Sequence, residues 1–166
     1  MIQVRLEMSP GQGVGPLLFG ISIKEAMRIA SSWGQVSPTA PDSESGDFKV
    51  LVQHPQFEVV LICDDGATLT AVEVWRFEED DADVQVTFSG RDIFRTPARQ
   101  LVRLLTEEGN AAGSLDEEAL DEEVTVFPEV ALLLSRDTSR EVTVDPEDKL
   151  PLFFHYALLA PSGYFD

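Results

Sequence analysis

Short apolar segments separated by turn residues are the feature that most constrains the fold of this chain. The segments are four to nine residues long, and several alternate apolar with polar side chains, which is typical of β-strands. The turn Asp64–Ala67 contains Asp-Gly and predicts a hairpin, because glycine adopts positive φ without steric cost. We expect strands at residues 1–6, 48–53, 57–63, 68–76, 84–88, 124–127, 130–135, 141–144 and 152–159.

Two other windows have apolar residues at helical spacing. The first begins with Ser22 and Glu25, which have the spacing of a capping box, and it ends at Gly34. The second begins at Thr96-Pro97, with threonine as the cap and proline in the first helical position, and it ends near Gly109. Each window predicts one amphipathic helix.

The order of these elements indicates the fold class. Strands outnumber helices and the two kinds do not alternate, so we predict an α+β protein rather than a parallel α/β fold. We expect two main helices packed on a mainly antiparallel, curved sheet. With 166 residues, 43% of them apolar and 25% charged, the chain has the composition of one globular domain, residues 1–166.

A weak internal sequence similarity relates two parts of the chain. Phe19-Gly20 precedes the first helix, Phe88–Gly90 precedes the second, and several strands follow each helix. A duplication, with a pseudo-repeat of residues 1–83 and 84–166, would produce this pattern. Chance and common capping chemistry would produce it as well, and the sequence does not decide between these origins.

The net charge restricts the class of partner. The chain carries 30 acidic and 12 basic residues, a net charge of −18. Residues 1–76 contribute −4 and residues 77–166 contribute −14. A field of this sign repels nucleic acid and anionic membranes, and it attracts basic proteins and cations. We therefore expect a basic protein as the partner, with no nucleic acid and no membrane, and the oligomeric state stays open.

The acidic residues concentrate in two runs, residues 78–83 and 116–123. The second run overlaps a capping box at residues 114–117 that predicts a short helix to about residue 121. Neither run has the spacing of a calcium loop. A solvated turn and helix face, a partner surface and opportunistic divalent binding are the three interpretations. The partner surface would consist of Glu78, Glu79, Asp80, Asp81, Asp83, Glu117, Glu118, Asp121 and Glu122.

An arginine series runs through the second helical window. Arg91, Arg95, Arg99 and Arg103 are each four residues apart, which places neighbours on one helix face. Their stems would cover apolar surface while their guanidinium groups pair with nearby carboxylates. The alternative is that Arg95, Arg99 and Arg103 form an anion-binding site.

The residue types that catalysis needs are scarce. Only His54 and His155 are available as bases at neutral pH, and Cys63 ends an apolar segment, which predicts burial rather than activation. The glycines of residues 11–15 lack the Gly-Lys-Ser/Thr ending of a phosphate loop and do not lead directly into a helix, so they predict a bend. We predict no enzymatic activity, no cofactor and no metal site.

The sequence also favours a compartment. It does not open on a basic segment followed by an apolar stretch, and its longest wholly apolar run, Val59–Cys63, is far below the ~20 residues that span a bilayer. A single cysteine excludes a disulfide within the chain. We therefore expect a cytoplasmic protein.

Two stretches resemble known families. Residues 13–26 (GVGPLLFGISIKEA) and 88–98 (FSGRDIFRTPA) are similar to the opening and middle motifs of a family of uncharacterised actinobacterial proteins. The core F-G-x-S-x-x-E, residues 19–25, also resembles the helix-opening motif of small outer-membrane assembly lipoproteins and of β-lactamase inhibitory proteins. Both are protein-binding modules with helices packed on antiparallel sheets, so the resemblance implies a protein-binding role without catalytic residues. The chain lacks the lipid-attachment cysteine of the lipoproteins, which removes their membrane role, and it separately lacks the disulfides of the inhibitory proteins.

These observations together predict a non-enzymatic, acidic protein-binding module. Its sharpest form is an inhibitor or immunity-type protein that neutralises a basic partner. The alternative is a small-molecule protein for an anionic ligand, or a metabolic enzyme of unknown class. A deep pocket that contains one of the three arginines would favour this alternative.

Overall fold

The computed structural model of the protein describes residues 4–38, 48–77, 79, 82–110, 124–138, 141–161 and 163–164. In chain order its elements are β1 (Val4–Ser9), β2 (Gly13–Val14), β3 (Leu17–Leu18), α1 (Ile23–Ala30), β4 (Gln35–Pro38), β5 (Phe48–Gln53), β6 (Glu58–Cys63), β7 (Ala71–Trp75), β8 (Val84–Phe88), β9 (Arg91–Asp92), α2 (Ala98–Glu107), β10 (Val124–Phe127), β11 (Leu132–Ser135) and β12 (Tyr156–Leu159). A short 3-10 turn, Pro128–Val130, joins β10 to β11. The structure is therefore mixed α+β, with two helices and extensive antiparallel sheet.

The larger sheet has seven strands in the order β10-β11-β12-β7-β6-β5-β4, and every neighbouring pair is antiparallel. Its central hairpin, β6–β7, is the one that the Asp-Gly turn predicts. The carboxylate of Asp65 accepts hydrogen bonds from the backbone N–H groups of Ala67 and Thr68, both at 2.8 Å, and so fixes the turn. These bonds hold the pKa of Asp65 at about 2.

The smaller sheet has five strands in the order β3-β2-β1-β8-β9. Its central pair, β1 and β8, is parallel, with Val4 opposite Val84 and Met8 opposite Phe88. The sequence did not predict this pair, because no local signal specifies which of two strands 80 residues apart will meet.

One hydrophobic cluster includes buried residues of both sheets and both helices. Helix α1 contributes Ala26 and Ala30, and helix α2 contributes Leu101 and Leu105, all fully buried. Removing one such leucine from water is worth about 1.5–3 kcal/mol. A smaller cluster, which contains Ile62, lies on the other face of the seven-stranded sheet, where side chains alternate with those of the main core. No helix in the described part of the chain is long and apolar enough to cross a membrane.

The helix starts differ in detail from the expectation. The Ser22 hydroxyl accepts from the N–H of Glu25 at 3.2 Å, but the Glu25 carboxylate pairs with Arg28 instead of completing a capping box. Helix α2 begins at Ala98 without a side-chain cap, so the prediction that threonine caps it is wrong. The N–H of Ala98 instead donates to Leu152 O at 2.7 Å, which a loop distant in sequence supplies.

The predicted strand at residues 141–144 is also wrong. Within it, Val144 makes only an isolated bridge to Pro151, and the N–H of Asp145 donates to Leu150 O at 2.8 Å. One more bond, from the N–H of Leu152 to Thr143 O at 2.9 Å, flanks this bridge, but no regular strand forms there. The predicted strand at 152–159 is shorter than expected and covers only Tyr156–Leu159. The predicted acidic helix, residues 114–121, lies outside the described residues.

Candidate functional site

A cleft of about 350 Å³ lies where the turn between β5 and β6 meets the end of β7. Its lining comes from this turn (residues 54–58), from Trp75 and Arg76, and from Glu79 and Ala82 in the segment after β7. Ligand pockets in proteins measure about 300–1,000 Å³. The cleft is therefore large enough for a side chain or a small molecule.

The turn on one side of the cleft is held by short-range hydrogen bonds. The N–H of His54 donates to Phe57 O, and the N–H of Gln56 donates to His54 Nδ1, both at 3.0 Å. Because Nδ1 accepts, the neutral imidazole carries its proton on Nε2. Burial lowers the pKa of His54, so the ring is uncharged at neutral pH. The amide oxygen of Gln56 accepts from the N–H of Asp83 at 3.2 Å and ties this turn to the opposite wall.

The aromatic part of the cleft is Trp75, the last residue of β7. Its indole stacks on the ring of Tyr156 in β12, with 5.0 Å between centroids and 19° between planes, yet it remains 38% exposed. Glu58 of β6 is directly opposite Trp75 on the other side. Residues opposite each other in an antiparallel pair have Cβ atoms about 4.5–5.5 Å apart. Glu58 is therefore an exposed cross-strand neighbour of Trp75, and both residues line the cleft.

Arg76 lines the cleft, but its guanidinium contacts groups in the interior of the protein. Arg76 is 8% exposed, and its Nε donates to Phe94 O at 2.9 Å. Its Cζ lies 4.6 Å from the ring centre of Phe77 and 4.9 Å from that of Phe153. These contacts tie the end of β7 to the chain at Phe94 and Phe153.

The acidic turn is the part of the predicted partner surface that the structure places at this cleft. Glu79 is exposed and lines the cleft, and Asp83 is half-buried next to it. The structure thus brings Glu79 together with Glu58 in one cleft. Glu58 lies outside both acidic runs of the sequence and is not part of the predicted partner surface. The other predicted partner residues lie outside the described part of the chain, and they are Glu78, Asp80, Asp81, Glu117, Glu118, Asp121 and Glu122.

The first of the three arginines proposed for an anion site is occupied by the protein itself. Arg95 donates from Nη1 to Val84 O and from Nη2 to Ala82 O, both at 2.7 Å, and it pairs with Asp92 at 3.3 Å. Its Cζ also lies 4.3 Å from the ring centre of Phe77. It precedes helix α2, so the regular four-residue stripe is broken at this position.

The other two arginines have different surroundings. Arg99 forms an ion pair with Glu147 and lies 3.7 Å from Asp145 and 3.9 Å from Asp148. Arg103 is exposed and forms no ion pair with any residue that the structure describes. None of the three lines the cleft.

The remaining candidates for chemistry are buried. Burial, with help from the charges of Asp65 and Asp64, raises the pKa of the Cys63 thiol to about 11. This confirms that Cys63 is a buried rather than an activated thiol. The side chain of His155 is also buried, since the residue is 4% exposed, and its backbone N–H donates to Ser135 O at 2.7 Å. Among the described residues, no group of three or more His, Cys, Asp or Glu side chains is placed to hold a metal ion.

The comparisons with known proteins add no relative. No family model matches the chain, and no curated protein or solved structure is significantly similar to it. The resemblance to protein-binding families therefore stays a prediction from two short stretches.

Proposed function

We propose that this chain is a non-enzymatic, acidic protein-binding module that neutralises a basic partner, as an inhibitor or immunity-type protein does. The observation that carries the proposal is that Glu58, Glu79 and an exposed Trp75 line one cleft. Carboxylates beside an aromatic ring are the surface that a cationic side chain prefers.

Long-range attraction and short-range contacts both support this mechanism. At long range the net charge of −18 attracts a basic partner and raises its rate of association. At contact, a partly exposed tryptophan supplies the apolar area that interface hot spots use, while the glutamates select a positive partner. The uncharged His54 adds no positive charge to the cleft near neutral pH.

A pull-down with matched variants tests the proposal. The wild-type protein is immobilised and exposed to lysate of the source organism at low salt, and bound protein is eluted with a salt step. We expect a basic protein that moderate salt releases, because opposite charges across an exposed surface are screened by ions. An acidic partner, or a bound fraction that does not change with salt concentration, would contradict the proposal.

The variants locate the surface. Glu58→Gln/Glu79→Gln removes two charges at the cleft, and Glu107→Gln/Glu129→Gln removes two exposed charges at sites that do not line it. Both double variants change the net charge by the same amount. We expect the first to lose most of the captured protein and the second to retain it. Equal losses would mean that only the overall charge matters.

The alternative, an anionic ligand held by the arginine series, has less support. Two of its three guanidinium groups, those of Arg95 and Arg99, already have carboxylate partners in this chain. The arginine in the cleft is Arg76, which contacts Phe94, Phe77 and Phe153. A thermal-shift screen with anionic metabolites checks this alternative directly.

Three finer features belong to the same proposal. The buried helix residues that share one core with both sheets support two helices packed on curved sheet. The adjacent, central positions of β1 and β8 in the five-stranded sheet support a duplicated origin, because each is the first described strand of one half of the pseudo-repeat, residues 1–83 and 84–166. The free, buried Cys63 is compatible with the reducing cytoplasm, which fractionation of cells would check.

A further inference from the structure

We propose that the cleft is a pocket for one arginine side chain of the basic partner, and that it prefers arginine to lysine. The inference rests on the proposed function and specifies the group that the cleft recognises. In this arrangement the guanidinium plane stacks on the indole of Trp75 and pairs with the carboxylates of Glu58 and Glu79.

The geometry of Trp75 provides the stacking surface. Strand β7 lies between β12 and β6, so Tyr156 and Glu58 are on opposite sides of Trp75 in one row across the sheet. Tyr156 covers one face of the indole in a nearly parallel stack. Glu58 is the cross-strand neighbour of Trp75 on the side away from Tyr156. A flat cation between the indole and Glu58 would contact a ring and a carboxylate at once.

The preference for arginine follows from the chemistry of the two cations. A guanidinium is planar, weakly hydrated and able to stack on aromatic rings while it donates two parallel hydrogen bonds to a carboxylate. A lysine ammonium is compact and strongly hydrated, and it gains less from a flat ring. The volume of about 350 Å³ suits one long side chain rather than a large cofactor.

The charged and titratable groups around the pocket are compatible with a bound cation. Glu58 and Glu79 are exposed, and His54 has a pKa lowered by burial. Among the described lining residues Arg76 is the one with a positive charge, and its guanidinium is 4.6 Å from the ring centre of Phe77 and 4.9 Å from that of Phe153. Two carboxylates and one buried guanidinium therefore leave the described lining with a net negative charge.

Capped hexa-arginine and hexa-lysine peptides test the inference, because they have equal length and charge. Affinities are measured at low salt by titration calorimetry, and the indole N–H resonance of Trp75 is followed by NMR, with Trp33 as an internal control. We expect hexa-arginine to bind about fivefold more tightly than hexa-lysine. We also expect hexa-arginine to shift the Trp75 resonance and leave that of Trp33 unchanged.

Variants test the stacking on Trp75 separately from the charges of Glu58 and Glu79. Trp75→Ala should reduce the affinity for hexa-arginine to that for hexa-lysine, and Trp75→Phe should retain part of the difference. Glu58→Gln/Glu79→Gln should weaken both peptides, whereas Leu18→Ala, which removes an exposed leucine of the other sheet, should change neither. The NMR shift in the unmodified protein does not depend on whether a variant folds.

The outcomes distinguish failure of the inference from failure of the proposed function. If both peptides bind equally, lose affinity in the glutamate variant and leave the Trp75 resonance unmoved, the arginine pocket is refuted while the basic-partner function stands. If neither peptide binds the wild-type protein at low salt, both are refuted.

Discussion

Replacing Asp148 by alanine should destabilise the fold far more than replacing Glu147, although the two carboxylates are neighbours on one loop. Asp148 binds Arg136, whose side chain is 5% exposed, through Nη1–Oδ2 at 2.7 Å and Nη2–Oδ1 at 3.0 Å. Glu147 pairs with Arg99, and both of these side chains are well exposed to solvent. The two variants therefore compare a buried with an exposed ion pair.

The expected magnitude follows from what Asp148→Ala leaves behind. The buried guanidinium of Arg136 would retain only backbone acceptors, the nearest being Pro151 O at 2.6 Å. Breaking a buried ion pair by removing one partner costs about 3–5 kcal/mol, and two hydrogen bonds to a charged group give a similar range. Because the Asp148 side chain is 21% exposed, we expect the lower end, about 3 kcal/mol.

Urea denaturation followed by circular dichroism measures this loss. With an m value of about 2 kcal/mol per M, the midpoint of Asp148→Ala should fall by about 1.5 M. Glu147→Ala should leave the midpoint nearly unchanged, because solvent screens the pair that it removes. Equal shifts in the two variants, or an unchanged midpoint in Asp148→Ala, would refute the argument that burial of the guanidinium decides the energy.

Three further predictions concern pH, reactivity and packing. Hydrogen bonding to the buried guanidinium lowers the folded-state pKa of Asp148, so its stabilisation is complete above the unfolded pKa of about 4 and is lost as the pH falls through the folded value. Urea midpoints measured from pH 6 to pH 2 should therefore fall more steeply for the wild type than for Asp148→Asn. The Cys63 thiol, with a pKa of about 11, should react with a thiol reagent at pH 8 far more slowly in the native protein than in urea, and fast native labelling would contradict its burial. Gly34→Ala should cost about 1–3 kcal/mol in the same denaturation assay, because its Cβ would lie 2.0 Å from Gln53 O. Gly20→Ala, where nothing lies within 4 Å of the new Cβ but φ is +91°, measures the separate cost of backbone strain, and an unchanged midpoint in Gly34→Ala would contradict the steric argument.

The central hairpin shows how far the sequence predicts the site. Its two strands and its Asp-Gly turn are predicted, but the register is not. A two-residue turn at Asp65-Gly66 would place Glu58 opposite Glu73, whereas the observed loop places it opposite Trp75. The difference arises because the Asp65 carboxylate binds two N–H groups beyond the glycine and moves the centre of the turn by one residue. A shift of this size changes every cross-strand pair, so the partner of Glu58 follows from the turn geometry rather than from the strand pattern.

The cleft also depends on contacts that are remote in sequence. The hydrogen bond between Gln56 and Asp83 joins two walls that are 27 residues apart, and Tyr156 reaches Trp75 from the last strand. Composition and periodicity specify that each of these residues belongs to a turn or a strand. They do not specify which turns and strands become neighbours, because that depends on how the two sheets share one core.

The ion pairs of the arginine series also bear on the expected charge of the partner. The prediction that these side chains pair with carboxylates is confirmed for three of the four, since Arg91 binds Glu108, Arg95 binds Asp92 and Arg99 binds Glu147, whereas Arg103 forms no ion pair with a described residue. Periodicity does not predict the partners, which range from Asp92, three residues from Arg95, to Glu147, 48 residues from Arg99. In the described part of the chain, at least five arginines form ion pairs with the protein's own acids, and these are Arg28, Arg91, Arg95, Arg99 and Arg136. Because each ion pair neutralises one acid together with one base, the excess of 18 acidic over basic residues remains, and Glu58 and Glu79 are exposed acids at the cleft. That surplus at the cleft is the physical reason for expecting a cationic partner there.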